Sequence, residues 1–265
     1  MKFTNPQQEY LESLSNKEIL SLFGYRQNKM TDIYQETVQR SVSTTSLARK
    51  LFKASSDTVE SLVRIPRPAD KSVFCLYNER TANEKKACEV CEGDEALVPS
   101  VMFTASLTVN MVEFLQKRSY LINRVIAKAT NKLCDDELRA ALVLLDASSK
   151  VIENKTLEEA HDDFNSIKST KMLAHPLTWH GMDRSNFSTE NDELLYKAVP
   201  AYQHRYVPEG FVYMLNDEIG EVIEKLPVIS AHGDANAEFK STVFMYEVLS
   251  MWAIGGNSIV LKLPK

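Results

Sequence analysis

The stretch MLAHPLTWHGM, Met172–Met182, holds two of the five histidines of the chain, His175 and His180, on either side of Trp179. Imidazoles this close could ligate a metal or pass a proton. Their spacing argues against both. Five residues along an α-helix turn about 500°, so two such rings would leave on different faces. His175 also precedes Pro176, and a residue before proline is pushed out of the helical region. The pair does not have the His-x-x-x-His spacing that puts two ligands on one face. Pro176 is expected to start a helix, Leu177 and Trp179 to pack inward, and the histidines to have a structural role.

Two other groups could do chemistry. His161, Asp162 and Asp163 form an HDD triplet of the kind metal-dependent phosphohydrolases use. Such a site needs further ligands. His175, His180 and His204 are available, but no spacing joins them, and the polar face of a short helix is the simpler reading. A metal-dependent hydrolase built on His161, Asp162 and His175 remains the enzymatic rival. The four cysteines are Cys75, Cys88, Cys91 and Cys134, with Cys88 and Cys91 in a CxxC. Structural zinc usually takes two such pairs, or one with a histidine pair, so Cys75 and Cys134 would have to complete it at irregular spacing. A thioredoxin-like pair would open a helix after a strand, whereas this one lies among Glu, Lys and Gly. Free thiols, a disulfide and zinc stay open, with thiols expected for a chain kept in the cytoplasm. No phosphate-cradling glycine loop and no G-x-S-x-G occurs. No catalytic, cofactor-binding or metal residue is assigned, and no cofactor is expected.

The elements that must position these residues belong to a globular chain of 265 residues, 44% hydrophobic and 25% charged. A net charge of −5 lacks the basic excess of a generic nucleic-acid binder. MKFTNPQQEYLESLSNKEIL has no apolar run of a secretory signal, and no run reaches the roughly 18 apolar residues that span a bilayer. The chain starts at Met1, so no removed propeptide is expected.

The first 55 residues carry sparse helical spacing, broken by the Ser/Thr run Ser41–Ser46, and read as an arm lying on something else. TVESLVRIPRP (58–68) is extended, because Pro66 and Pro68 restrict their predecessors. KSVFCLYNE (71–79) is a strand. The polar RTANEKKACEVCEGDEALVP (80–99) reads as the tip and return of a long hairpin, with little apolar surface to hold it on its own subunit. VMFTASLTVNM (101–111) alternates strictly, so one face is buried. Residues 113–150 lack Pro and Gly and space Leu121, Ile122, Val125 and Ile126, then Leu138, Ala141, Leu142 and Leu145, at helical intervals. One long helix is predicted, with Asn131–Cys134 the place where it could break. TLEEAHDDFNSI is a short helix, KMLAHP a strand, and TENDELLYKAV (189–199) a further helix capped by Thr189 or Asn191. EGFVYMLN, GEVIEKLPVIS and FKSTVFMYEVLSMWAI are strands. GGN (255–257) is a turn that brings SIVLKLP back to pair with the strand before it.

This order of elements resembles the major capsid proteins of tailed bacteriophages, the Hong Kong-type coat fold that encapsulin shells share. The resemblance is carried by SLVRIPRP (61–68), DEALVPSVMFTASLTVNMVEFLQKRSYLI (94–122), STKMLAHPLTWHGM (169–182), YVPEGFVYMLNDEIGEVIEKLPVIS (206–230) and VFMYEVLSMWAIGGNSIVLKL (243–263). It implies an α+β phage major-capsid fold. The parts would be an N-terminal arm (1–57), an extended E-loop hairpin (58–100), a peripheral domain with a long spine helix (101–165 and 236–265) and an axial domain (166–235). The family has a similar His-Pro…Trp junction with no chemistry attached. Some members crosslink a Lys to an Asn between subunits; Lys85 and Lys86 exist here, but no position matches well enough to carry that role. The resemblance implies a non-enzymatic virion protein, made in the host cytoplasm. It would self-assemble through pentamers and hexamers into an icosahedral shell around DNA held without sequence specificity. Portal, scaffolding and decoration proteins would be its partners, and no membrane. The alternative is an encapsulin-like compartment shell.

Overall fold

The computed structural model describes residues 41–56, 62–66, 68, 70–78, 85–90, 95–110, 118–160, 169–226 and 240–264. The helices expected before residue 41 and the triplet His161–Asp163 lie outside them. The chain is α+β, as expected, and divides into two compact units. One holds residues 1–46, 102–136 and 226–248, and the other residues 47–101, 137–225 and 249–265.

In the first unit, residues 41–45 are helical, and Ser46 N still donates to Val42 O at 2.9 Å. The Ser/Thr run therefore does not break the helix before Ser46. Helix α1 (Leu47–Leu51) and strand β1 (Lys53–Ser56) follow in the second unit. Ala48, Leu51 and Phe52 are buried there, and β1 pairs in parallel with β13 (Gly220–Leu226), Lys53 opposite Glu221. Residues 47–56 thus have the core character that their sparse spacing concealed.

Among the described residues of 58–100 there are four strands: β2 (Leu62–Pro66), β3 (Val73–Asn78), β4 (Lys85–Glu89) and β5 (Glu95–Pro99). β2 and β5 form a two-stranded antiparallel ribbon, Leu62 opposite Pro99 and Arg64 opposite Leu97. β3 and β4 form a separate antiparallel pair. The stretch 80–99 therefore contributes two strands to two sheets rather than one return limb. β6 (Val101–Asn110) alternates as predicted, with Val101, Phe103 and Ala105 buried and Met102, Thr104 and Ser106 exposed.

Helix α2 (Arg118–Ser148) runs 31 residues without interruption, about 46 Å at 1.5 Å per residue. The break considered at Asn131–Cys134 does not occur. Asp136, just past that stretch, is mid-helix, where its carboxylate accepts from Lys132 Nζ one turn back at 2.8 Å. Leu138, Ala141, Leu142 and Leu145 are all buried, the i, i+3, i+4 stripe of a helix packed on one side.

The second unit is built on a seven-stranded sheet of order β7-β15-β12-β8-β11-β10-β9. Its strands are β7 (Lys150–Glu153), β8 (Lys171–Ala174), β9 (Phe187–Glu190), β10 (Glu193–Tyr196), β11 (Val199–Gln203), β12 (Phe211–Leu215) and β15 (Ser258–Lys262). The helix expected at 189–199 is instead the β9–β10–β11 meander. Two-residue turns force it. Asn191 and Asp192 have φ of 49° and 63°, and Lys197 and Ala198 have 46° and 68°. Consecutive positive φ values are the turn geometry that suits twisted hairpins and cannot continue a right-handed helix.

β14 (Lys240–Ile254) pairs with β3, Trp252 opposite Cys75. The expected hairpin to the following strand is absent: β15 pairs with β12 and β7 in the other sheet. The turn is tied elsewhere. Gly255 N donates to Ser72 O at 2.8 Å, and buried Asn257 donates from Nδ2 to Glu218 O at 2.7 Å and accepts from Lys71 Nζ at 2.6 Å. The Gly255 bond extends the β14–β3 ladder by one rung, and the Asn257 bonds hold the turn against Glu218 and Lys71. Gly220 sits so close to β14 that a Cβ there would lie 2.0 Å from Trp252 O.

Candidate functional site

The His-Pro-Trp junction is built from its backbone outward. β8 delivers the chain to His175, whose φ of −67° and ψ of 143° are extended, as the following proline requires. Pro176 then opens helix α3 (Pro176–His180) at a position where its missing N–H costs nothing. His175 Nδ1 accepts from Leu177 N at 3.1 Å, so the imidazole caps the helix that its neighbour begins. Trp179 is buried and donates from Nε1 to Tyr202 O at 2.8 Å. Its ring stacks on Tyr196 at 6.3 Å and meets the edge of Phe187, centroids 5.7 Å apart. Burial, and after it the Glu158 carboxylate, raise the Tyr196 phenol above its ordinary range. His180 ends the helix exposed. Leu177 also points outward, 56% exposed, which corrects the expectation that it packs inward. Proline sets the first turn, so the helix buries only the face bearing Thr178 and Trp179.

The other histidine in reach of description, His204, accepts at Nδ1 from Tyr206 N at 3.3 Å, and its ring lies 4.7 Å from that tyrosine. It too serves a local turn. Among the described residues no group of three His, Cys, Asp or Glu could hold a metal ion. Cys75, Cys88 and Cys134 form no disulfide among the described residues, and Cys91 lies outside them. No helix among the described residues is long and apolar enough to cross a membrane.

What the fold does present is a ribbon with two unlike faces. Along β2 and β5 the side chains alternate. Ile65, Ala96 and Val98 are buried, with Val63 packed beside them, against Val73, Cys75, Ile223 and Trp252. The opposite face carries Leu62 and Leu97, each 45% exposed, and an Arg64–Glu95 ion pair at 3.7 Å. An isolated two-stranded ribbon is marginal in water, so the buried face holds it in place and leaves the other face free for contact.

A second feature that the sequence reading missed is a buried charge cluster. Arg49 on α1 donates to Glu137 Oε1 from Nη2 at 2.6 Å and from Nε at 2.9 Å, and from Nη1 to Glu224 Oε2 at 3.2 Å. All three side chains are nearly or fully buried. Their partners lie 88 and 175 residues away, so no local signal could have joined them. Nearby in the same unit, buried Tyr213 donates to Asp146 Oδ1 at 2.5 Å, and burial and that bond raise its phenol far above the usual range.

No protein-family model and no curated protein matches the chain. Solved structures do. The virus-like particle from Pyrococcus furiosus aligns with a TM-score of 0.56 at 12% identity, over 87% of this chain and 98% of that one. The capsid of an empty GTA particle aligns at 0.55 and 8% identity, over 83% and 90%. A structure from Mycobacterium phage Adephagia aligns at 0.56 and 8% identity, again over 83% and 90%. Identities this low speak to fold alone, and on fold these structures agree with the chain across most of both: this protein has the Hong Kong-type coat fold.

Proposed function

We propose that the chain is a major capsid protein that self-assembles through pentamers and hexamers into an icosahedral shell enclosing a phage genome. The observation that carries the reading is the β2–β5 ribbon, which sits in a coat fold and turns Leu62 and Leu97 outward on a face that its own subunit does not cover. In this reading the arm is 1–57, anchored at its end by residues 47–56, and the hairpin is 58–100. The peripheral domain is 101–165 with 236–265, and the axial domain is 166–235. Portal, scaffolding and decoration proteins are its partners in the virion, and DNA is enclosed without sequence-specific contacts. The net charge of −5 suits a wall that does not grip DNA tightly.

A compartment shell without a genome is the second reading, favoured by the match to a particle described only as virus-like, of which 98% is covered. Negative-stain microscopy of the expressed chain tests both. Closed shells support assembly, and a chain that stays monomeric in light scattering at every salt concentration and is absent from the wall of source particles sinks both. Nuclease-treated particles that retain genomic DNA and a portal favour the capsid; a packaged enzyme favours the compartment.

A further inference from the structure

Cys75 and Cys88 face each other as Cα partners across the β3–β4 ladder, and their Sγ atoms lie 3.7 Å apart. Val90 N donates to Val73 O at 2.8 Å. That bond lies two rungs away, so the cysteines occupy a hydrogen-bonded rung, where Cα atoms are about 5.5 Å apart. Natural disulfides bridge most often at about 5.5–6 Å between Cα atoms but need Cβ atoms about 3.5–4.5 Å apart. On a hydrogen-bonded rung the Cβ atoms stand at the wide end of about 4.5–5.5 Å, so the two sulfurs can join only with strain in the ladder, which makes the bond readily reduced again. The two thiols are not equivalent. Cys75 is fully buried beneath the ribbon, while Cys88 is half-buried on β4, the last strand of its sheet order. Burial first, and then the charge and hydrogen bond of Cys88, push the Cys75 thiol up to about 12. Cys88 is therefore the thiol that a reagent reaches, and Cys75 the one held in reserve.

We propose that Cys75 and Cys88 are a redox-responsive pair that closes to a cross-strand disulfide when a low-molecular-weight disulfide reaches Cys88. In the first step the Cys88 thiolate attacks one sulfur of R–S–S–R. That S–S bond breaks, RS⁻ leaves, and Cys88 carries a mixed disulfide. In the second step Cys75 gives its proton to solvent and its thiolate attacks Cys88 Sγ, expelling the second RS⁻. Two cysteine thiols are oxidised, one small disulfide is reduced to two thiols, and the two protons end on the released thiols. Deprotonation of Cys75 makes the second step the slow one, so closure accelerates as pH rises. The bond would pin β4 to β3, the strand that carries the Cys75–Trp252 rung with β14.

The test incubates the full chain with oxidised glutathione, quenches in acid, denatures, alkylates and digests with trypsin without reduction. Two of the four cysteines should escape alkylation, and the peptides bearing Cys75 and Cys88 should be found joined. Amide exchange at Ala87–Glu89 should slow. Cys91→Ser should leave the product unchanged. Cys88→Ser, at the less buried position, should abolish it and leave Cys75 alkylatable. A Cys88–Cys91 bridge, a glutathione adduct that persists on Cys88, or four alkylatable thiols would each overturn the proposal.

Discussion

The tryptophan junction and the β2–β5 ribbon belong to the same compact unit and use their polar and apolar groups in opposite ways. At the junction the groups that could do chemistry, the exposed His180 apart, are taken up by the fold: His175 caps, Trp179 Nε1 is bonded to a backbone carbonyl, and the aromatic rings pack on one another. On the ribbon nothing could do chemistry, yet apolar surface is left in water. The difference shows why reactive residue types were a poor guide here. A side chain whose polar atoms are satisfied from within has nothing to offer a ligand, whereas an unpaired apolar face has a driving force for association.

Trp179→Ala is the most severe way to test this contrast. It removes a buried indole from between Tyr196 and Phe187 and should cost about 3–5 kcal/mol of subunit stability, read as a lower midpoint in urea. An unchanged midpoint would mean that the junction is not a packing site. On the ribbon, the double change Leu62→Ser and Leu97→Ser should leave the melting temperature nearly unchanged. Shell yield should fall at least about tenfold, since a loss of about 1.4 kcal/mol in one contact already changes an association constant tenfold. Equal shell yield would remove the ribbon's outer face from the assembly argument.

His175→Ala sits below these. Losing a helix cap typically costs about 1 kcal/mol, and His175→Asn, which keeps an acceptor, should recover most of it. A larger loss in metal-supplemented buffer, with phosphatase or esterase activity that disappears, would instead revive the hydrolase reading. The smallest effect belongs to Arg64 and Glu95. Both are mostly exposed, and exposed pairs are worth about 0–1 kcal/mol. Arg64→Ala should shift subunit stability by less than the error of most unfolding curves. Any effect on assembly should fade as salt rises, and an effect that persists in high salt would point to packing of the arginine stem.

Local grammar made much of this readable. Pro176 announced a helix start, the alternation of VMFTAS a half-buried strand, and the stripe through Leu138, Ala141, Leu142 and Leu145 a packed helix. The failures have physical causes as well. TENDELLYKAV carries a plausible cap and good helix formers, but the turn Lys197–Ala198 places two residues in left-handed geometry that neither prefers. Only the neighbouring strands enforce it. The GGN turn is a fair hairpin turn in isolation, but Asn257 ties it to Glu218 and Lys71, and the strand after it pairs with β12 and β7 instead. Ser41–Thr45 remain helical although serine and threonine are indifferent helix formers, because propensity is a weak term beside packing. The ribbon's two faces were legible in LVRIP and EALVP as alternation. From sequence, LVRIP reads as extended and EALVP as the return of a long hairpin, and neither reading says which face is buried.

The placement of β14 and β15 sets a timetable for synthesis. β14 lies between β13 and β3 in one sheet, and β15 lies between β7 and β12 in the other. Both come after residue 239. On a ribosome adding about 5–20 residues per second, β3 waits on the order of ten seconds or more for β14, its partner. During that interval each sheet has a gap with open strand edges, the kind of surface that pairs with other chains. The outward face of the ribbon rests on a core that includes Trp252, so it too is held in place only after that residue has been made. On the proposed shell function, late completion would separate translation from assembly: a nascent chain would offer no finished contact surface to its neighbours until β14 and β15 had closed both sheets.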